Sequence, residues 1–185
     1  MKKALQMLCI GLVLVALGHC TCLSQTGEPS LDNMLSSASY DIFAGNLNYV
    51  VGDANIYVDG HSLYIELINQ EGYDTTGNNL KISIKKNLGD LDFNPGSYEY
   101  KFSIDPYTPP GTSLWFSATL ECLGYGTGDY CNSYDKFFLG IHLDVKIGAG
   151  KPGAGSQTAW VGVGTPGQTS GTCTLSGPSS WHCYA

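Results

Sequence analysis

Residues 55–68 read NIYVDGHSLYIELI. Asp59-Gly60 stands between two runs rich in β-branched and aromatic residues, and such a pair tolerates the backbone conformations a tight hairpin turn demands. On the second arm Leu63, Ile65 and Leu67 share one face while Tyr64 and Glu66 share the other, the period of two that a half-buried strand requires.

The same period recurs outward from this hairpin. LKISIK aligns Leu80, Ile82 and Ile84; YEYKFSI aligns Tyr98, Tyr100, Phe102 and Ile104. LWFSATLEC aligns Leu114, Phe116, Ala118 and Leu120, FFLGIHLDVKI aligns its apolar positions from Phe137 to Ile147, and QTAWVGV closes the series. Gly-, Pro-, Asn- and Asp-rich punctuation (GYDTTGNN, DPYTPPGT, GAGKPGAGS) ends the runs by turn chemistry. With no long helical pattern, the expected fold is all-β: an antiparallel β-sandwich of about eight strands with local disulfides, over residues 40–165.

Ahead of it, MKKALQMLCIGLVLVALGHCTC places Lys2 and Lys3 before an apolar run and then small and polar residues, the layout of a secretory signal over residues 1–22 with cleavage between 18 and 24. The run is shorter than a membrane span requires. Residues 23–39 read as a linker or a short helical turn, with Leu31, Met34 and Leu35 at helical spacing. Residues 166–185 read as a Gly/Ser/Thr-rich tail pinned by disulfide.

An exported chain meets an oxidising compartment, where Cys residues pair. Sequence neighbours are the expected partners: Cys122 with Cys131, and Cys173 with Cys183. Neither pair has the spacing of a zinc knuckle. Cys20 and Cys22 remain with the mature chain only if the signal is cut ahead of them.

The chain has no Arg, and without Lys2 and Lys3 its formal charge falls from -7 to -9. Scattered lysines among more numerous acids cannot supply the counterion-releasing field that nucleic acid needs. Cations and hydroxyl-rich partners suit this charge balance better.

Three motifs carry potential chemistry. In GDLDFNPG, residues 89–96, Asp90, Asp92 and Asn94 alternate as in some calcium loops, with Glu99 close in sequence. An EF-hand would need Gly where Pro95 stands and Glu where Lys101 stands, so the expectation is a weak Ca²⁺ site of around 10⁻⁴ to 10⁻³ M, competing with a plain turn between two strands. GAGKPG, residues 148–153, matches the spacing of a dinucleotide loop but lacks the following helix that makes such a loop work, and it reads as a tight turn. His142 and Asp144 share an outward strand face, which reads as solvated surface. No nucleophile elbow, metal-binding His pair or free Cys nucleophile is present, so no catalytic residue and no enzyme activity is expected.

Twelve Tyr and three Trp accompany few charges. Trp115 alternates out of phase with Leu114 and Phe116, and Tyr64, Tyr100 and Trp115 are the candidate rings for stacking on a sugar, provided they share an exposed face.

Residues 47–163 resemble a secreted β-sandwich module of bacterial surface proteins and of marine-invertebrate extracellular proteins, some recovered from calcified skeletons and shells. LNYVVGDANIYVDGHSLYIEL, Gly72-Tyr73, NNLKISI, NPGSYEY, FFLGIHLDVKI and Thr158-Ala159-Trp160 carry the resemblance. The chain departs from the module at Gly77, Asn78 and Asn79, where an acid and a His are usual, and at Gly140-Ile141-His142-Leu143, where Ala-Ala-His-Ala is usual. The resemblance implies an exported structural or binding module with no catalytic residues to carry over. The expected function is a secreted, non-enzymatic matrix protein, as in the organic matrix of a calcified skeleton or shell. Its partners would be extracellular matrix components, a polysaccharide or a mineral surface. A secreted carbohydrate-binding or adhesion module is the alternative, and a hydrolase whose carboxylates meet only on folding stands third.

Overall fold

The Asp59-Gly60 turn joins strands β3 (Tyr49–Val58) and β4 (Ser62–Asn69). The Asp59 carboxylate accepts from the amides of His61 and Ser62 at 2.9 and 2.8 Å, and Gly60 takes a φ of 90° that glycine alone adopts freely. Val58 faces Leu63 across the hairpin, and the burial of β4 alternates along its whole length as its sequence does.

The computed structural model describes residues 21–162, except 33, 35, 46–48, 76, 93 and 126–137. The remaining strands are β1 (Ser24–Thr26), β2 (Ser36–Ala44), β5 (Gly72–Tyr73), β6 (Leu80–Lys85), β7 (Tyr100–Phe102), β8 (Ser113–Thr119), β9 (Phe138–Ile147) and β10 (Gly155–Gly162). No α-helix occurs among the described residues, and none of their helices is long and apolar enough to cross a membrane.

All ten strands join one antiparallel sheet, in the order β1-β8-β4-β3-β2-β10-β9-β6-β7, with β5 on β9 beside β6. The sheet curls into a half-barrel. Across the curl, Phe102 of the end strand β7 packs on Phe116 of β8, one strand in from the other end, with ring centroids 4.7 Å apart. Inside the curl lie Ile42, Leu63, Ile65, Leu67, Leu80, Ile82 and Leu143, all with no exposed surface. Burying apolar side chains of this size is the main force holding the curl closed, at about 1.5–3 kcal/mol each.

A bulge between Ile42 and Phe43 bends β2 against β3. Gly52 sits at this bend, and a Cβ there would collide with the carbonyl oxygen of Ile68 and lie 3.0 Å from the Asn69 Cα. Only glycine fits.

Two expectations change at the N-terminal side. Residues 23–39, read as linker or helical turn, contain β1 and the start of β2 around a turn in which the Met34 amide reaches the Leu31 carbonyl at 3.3 Å. Leu23 is a core residue, 1% exposed. Cys122 pairs with Cys22, the Cα atoms 5.5 Å apart, and not with Cys131. The reason is that β8 ends at Thr119, one residue before a turn, while β1 runs antiparallel to β8 and brings its own start to that end of the strand. Cys131, the Cys173–Cys183 pair, the signal segment up to residue 20 and the tail from 163 lie outside the described residues.

Candidate functional site

On the outer face of β6, β9 and β10, strand alternation places the polar residues whose neighbours point into the core. Lys81, His142 and Trp160 form one row across the three strands, and Asp144 pairs with Thr158 in the next. Lys81 Nζ lies 2.8 Å from Asp144 Oδ2, with the two side chains 18% and 25% exposed. The His142 ring stands edge-on to Trp160, centroids 4.6 Å apart, and is only 4% exposed.

Burial drives the His142 pKa down to about 4, reinforced by the Lys81 charge and opposed by Asp144. The imidazole is therefore neutral at pH 7, its Nε2 is 3.7 Å from Asp144 Oδ1, and its buried Nδ1 has no hydrogen-bond partner among the described residues. The charge on Asp144 is balanced by Lys81 instead.

The loop from β5 to β6 forms one wall. Asp74 donates its amide to the Asp144 carbonyl at 2.9 Å, and the Asn79 carbonyl accepts from the Asp144 amide at 2.8 Å, so the loop is bonded to β9 at both of its ends. Asn79, 1% exposed, clamps the loop to the segment after β7. Its Nδ2 donates to the carbonyls of Asp74 and Ile104 at 2.9 and 2.8 Å, and its Oδ1 accepts from the Ile104 amide at 2.7 Å. A hydrogen bond from Ser156 lowers the Asp74 pKa, helped by the Thr75 amide, and keeps the carboxylate ionised.

Between this wall and β10 lies a groove of about 400 Å³ bordered by Asp74, Lys81, Asp144, Ser156, Gln157 and Thr158. A second hollow of about 220 Å³, which shares Asp74, is bordered by Lys146 and Tyr107. The Tyr107 ring is 89% exposed, on a turn held by the Thr108 amide to the Asp105 carbonyl at 2.9 Å and by the Tyr107 amide to the Asp105 carboxylate at 2.9 Å. These groups offer hydrogen bonds of both polarities beside one bare ring. Ligand grooves commonly fall between about 300 and 1,000 Å³.

The residues singled out in the sequence fare differently. Asp92 Oδ1 accepts from the Asn94 amide at 2.9 Å, Asn94 Oδ1 from the Gly96 amide at 3.0 Å, and Asp90 Oδ2 from Asn87 Nδ2 at 2.9 Å. The described residues of GDLDFNPG thus fall in and between two short 3₁₀ segments, Leu88–Asp90 and Pro95–Ser97, with one side-chain oxygen each of Asp90, Asp92 and Asn94 engaged by the chain itself. Glu99 points elsewhere: it accepts from Ser83 Oγ at 2.8 Å and the Ile84 amide at 2.9 Å and pairs with Lys85 at 3.2 Å. Among the described residues no group of three or more His, Cys, Asp or Glu is placed to hold a metal ion.

The three candidate stacking rings do not share an exposed face. Trp115 is 5% exposed and stacks on Tyr57 at 5.6 Å, with β1 paired along its strand. Tyr64 lies on that same face of the sheet, but its hydroxyl is bound to Asp59 at 3.0 Å. Tyr100 packs against the core, on the inner side. Alternation puts Trp115 on the outer face; the ring stacked on it, Tyr57, comes from β3, two strands away in the sheet.

Sequence reasoning missed Asp74, Ser156, Gln157, Thr158 and Tyr107. The alternation of QTAWVGV carried a signal for Thr158, since it sets the residue opposite to Ala159, but nothing local brings Asp74 to Ser156. GAGKPG is a turn, as read: Gly150 and Gly153 have φ of 85° and 73°, and Lys151 reaches Glu71 at 2.7 Å. Set against known proteins, the chain matches no family model, no curated protein and no solved structure.

Proposed function

We propose that the chain is a secreted, non-enzymatic structural protein of an extracellular matrix, of the kind that surrounds a calcified skeleton or shell. The observation that carries this reading is the Cys22–Cys122 disulfide beside a core-forming Leu23, because a long-range staple of this kind suits an oxidising compartment. The signal-like N-terminus, the acidity without Arg and the resemblance over residues 47–163 support the same reading. We further read the curled sheet as the two layers of a sandwich, on the strength of the Phe102–Phe116 contact across the curl. In the groove Asp144 is bound to Lys81 and Asp74 to Ser156, a pairing that suits recognition better than bond cleavage. The test is to raise antibodies to the purified chain and probe the secreted matrix and the cells of the source tissue. Enrichment in the insoluble matrix is the expected result; retention inside cells, or turnover of ester or glycoside substrates by the pure protein, would overturn it.

A carbohydrate-binding or adhesion role is the second reading. The observation favouring it is the polar groove ending at an exposed tyrosine, in place of the Tyr64, Tyr100 and Trp115 rings.

A further inference from the structure

We infer that the groove between the Asp74 loop and β10 binds a neutral polysaccharide, with the Tyr107 ring as the stacking platform at its end. The inference rests on the carbohydrate-binding reading and names the site and the ligand charge.

Charge decides the ligand class. Two carboxylates, Asp74 and Asp144, and two ammonium groups, Lys81 and Lys146, border the two hollows that share Asp74, so their formal charge cancels. Lys81 is already engaged by Asp144 at 2.8 Å and is not free to take a sulfate or uronate. A polyanion would also approach a chain of formal charge -7. An apolar ligand would strip water from the charged rim without replacing its hydrogen bonds. An uncharged, hydroxyl-rich chain meets neither obstacle, since each sugar hydroxyl can donate to a carboxylate and accept from an ammonium or amide group.

Tyr107 supplies the second, independent observation. This ring is 89% exposed, on a turn containing Pro106 and followed by Pro109 and Pro110, so its face is open to a ligand. Proline fixes the backbone angle, so the backbone that carries the ring has little conformational entropy left to lose on binding. A flat ring at one end and a row of hydrogen-bonding groups along the floor match the apolar face and the hydroxyl edge of a pyranose.

The test is calorimetric titration of the disulfide-intact chain with cellohexaose, chitohexaose, xylohexaose and mannohexaose, with a heparin hexasaccharide as the anionic probe. The expected result is saturable binding of at least one neutral probe, weakened roughly tenfold by Tyr107→Ala and by Gln157→Ala and unchanged by Tyr64→Phe on the other half of the sheet. Tyr107→Ala alters a solvent-exposed side chain and keeps the test valid if another variant misfolds. Neutral binding that both groove variants leave intact would overturn the groove assignment while sparing the carbohydrate-binding reading. Preference for heparin would overturn the ligand class. Binding of no probe at millimolar concentration would overturn both.

Discussion

Cys22 is bonded to Cys122 at a sequence separation of 100, and Leu23 beside it is inserted into the core. The bond fastens the edge strand β1 to the turn after β8, and so holds down the short strand that pairs alongside Trp115.

Closing a loop of that length restricts the unfolded chain by about 4–5 kcal/mol on the chain-entropy account. Cys22→Ser is therefore expected to lower unfolding free energy by about 3–5 kcal/mol in urea titration. Non-reducing peptide mapping should link the Cys22 and Cys122 peptides. If a signal is removed, N-terminal sequencing should place the cut ahead of Cys22, after Gly18 or Cys20; a mature chain starting at Leu23 or Gln25 would contradict this.

His142 makes the fold sensitive to acid. Its folded pKa is about 4, below the ordinary value of 6.5, so the unfolded chain takes up a proton that the folded one refuses. Its contribution is complete above pH 6.5, falls as pH drops from 6.5 to about 4, and levels off below that, amounting to as much as about 3 kcal/mol. Replacing the ring by Gln should flatten that part of the stability profile, while the carboxylates with lowered pKa, Glu71 and Asp74 among them, leave their own acid dependence below it.

Gly140 lies under the buried Tyr98 ring. A Cβ at this position would fall 2.8 Å from the Tyr98 Cζ, and ring and strand cannot both stay in place. Gly140→Ala should cost about 1–3 kcal/mol by thermal unfolding, as overpacking does. In a Tyr98→Ala background Gly140→Ala should add little further loss, because the clash has been removed with the ring.

Asn79 is a buried side chain that ties the groove wall to the segment after β7 through three hydrogen bonds, beside the one that the Asn78 amide donates to Ser103 Oγ at 3.1 Å. Asn79→Ala leaves the Ile104 amide and two carbonyls without this partner in a buried position, at a cost of about 2–4 kcal/mol. Amide exchange should speed up for residues 74–79 and at Ile104 more than for β3 and β4.

Calcium should produce no saturable transition in calorimetry, and millimolar Ca²⁺ should raise Tm only slightly through general attraction to an acidic chain. Asp92→Asn should leave that response unchanged, because Asp92 already accepts from the Asn94 amide.

The strand-forming residues around Asp59-Gly60 were legible in sequence because side-chain direction along a strand is a local property: each residue faces opposite to the last, whatever the strand pairs with. That rule placed Leu63, Ile65 and Leu67 inward and His142, Asp144 and Trp115 outward. It could not say which outward residues stay wet. Trp115 and His142 are both covered, the first alongside β1 and Tyr57 and the second by Trp160, because those neighbours are chosen by the order of strands across the sheet. The partner of Cys122 and the meeting of Asp74 with Ser156 were decided in the same way. Both join residues far apart in sequence, the first through the pairing of β1 with β8 and the second through β5 and β10 lying on either side of β9, and only the strand order of the whole sheet brings such residues together, since no local preference acts over that separation.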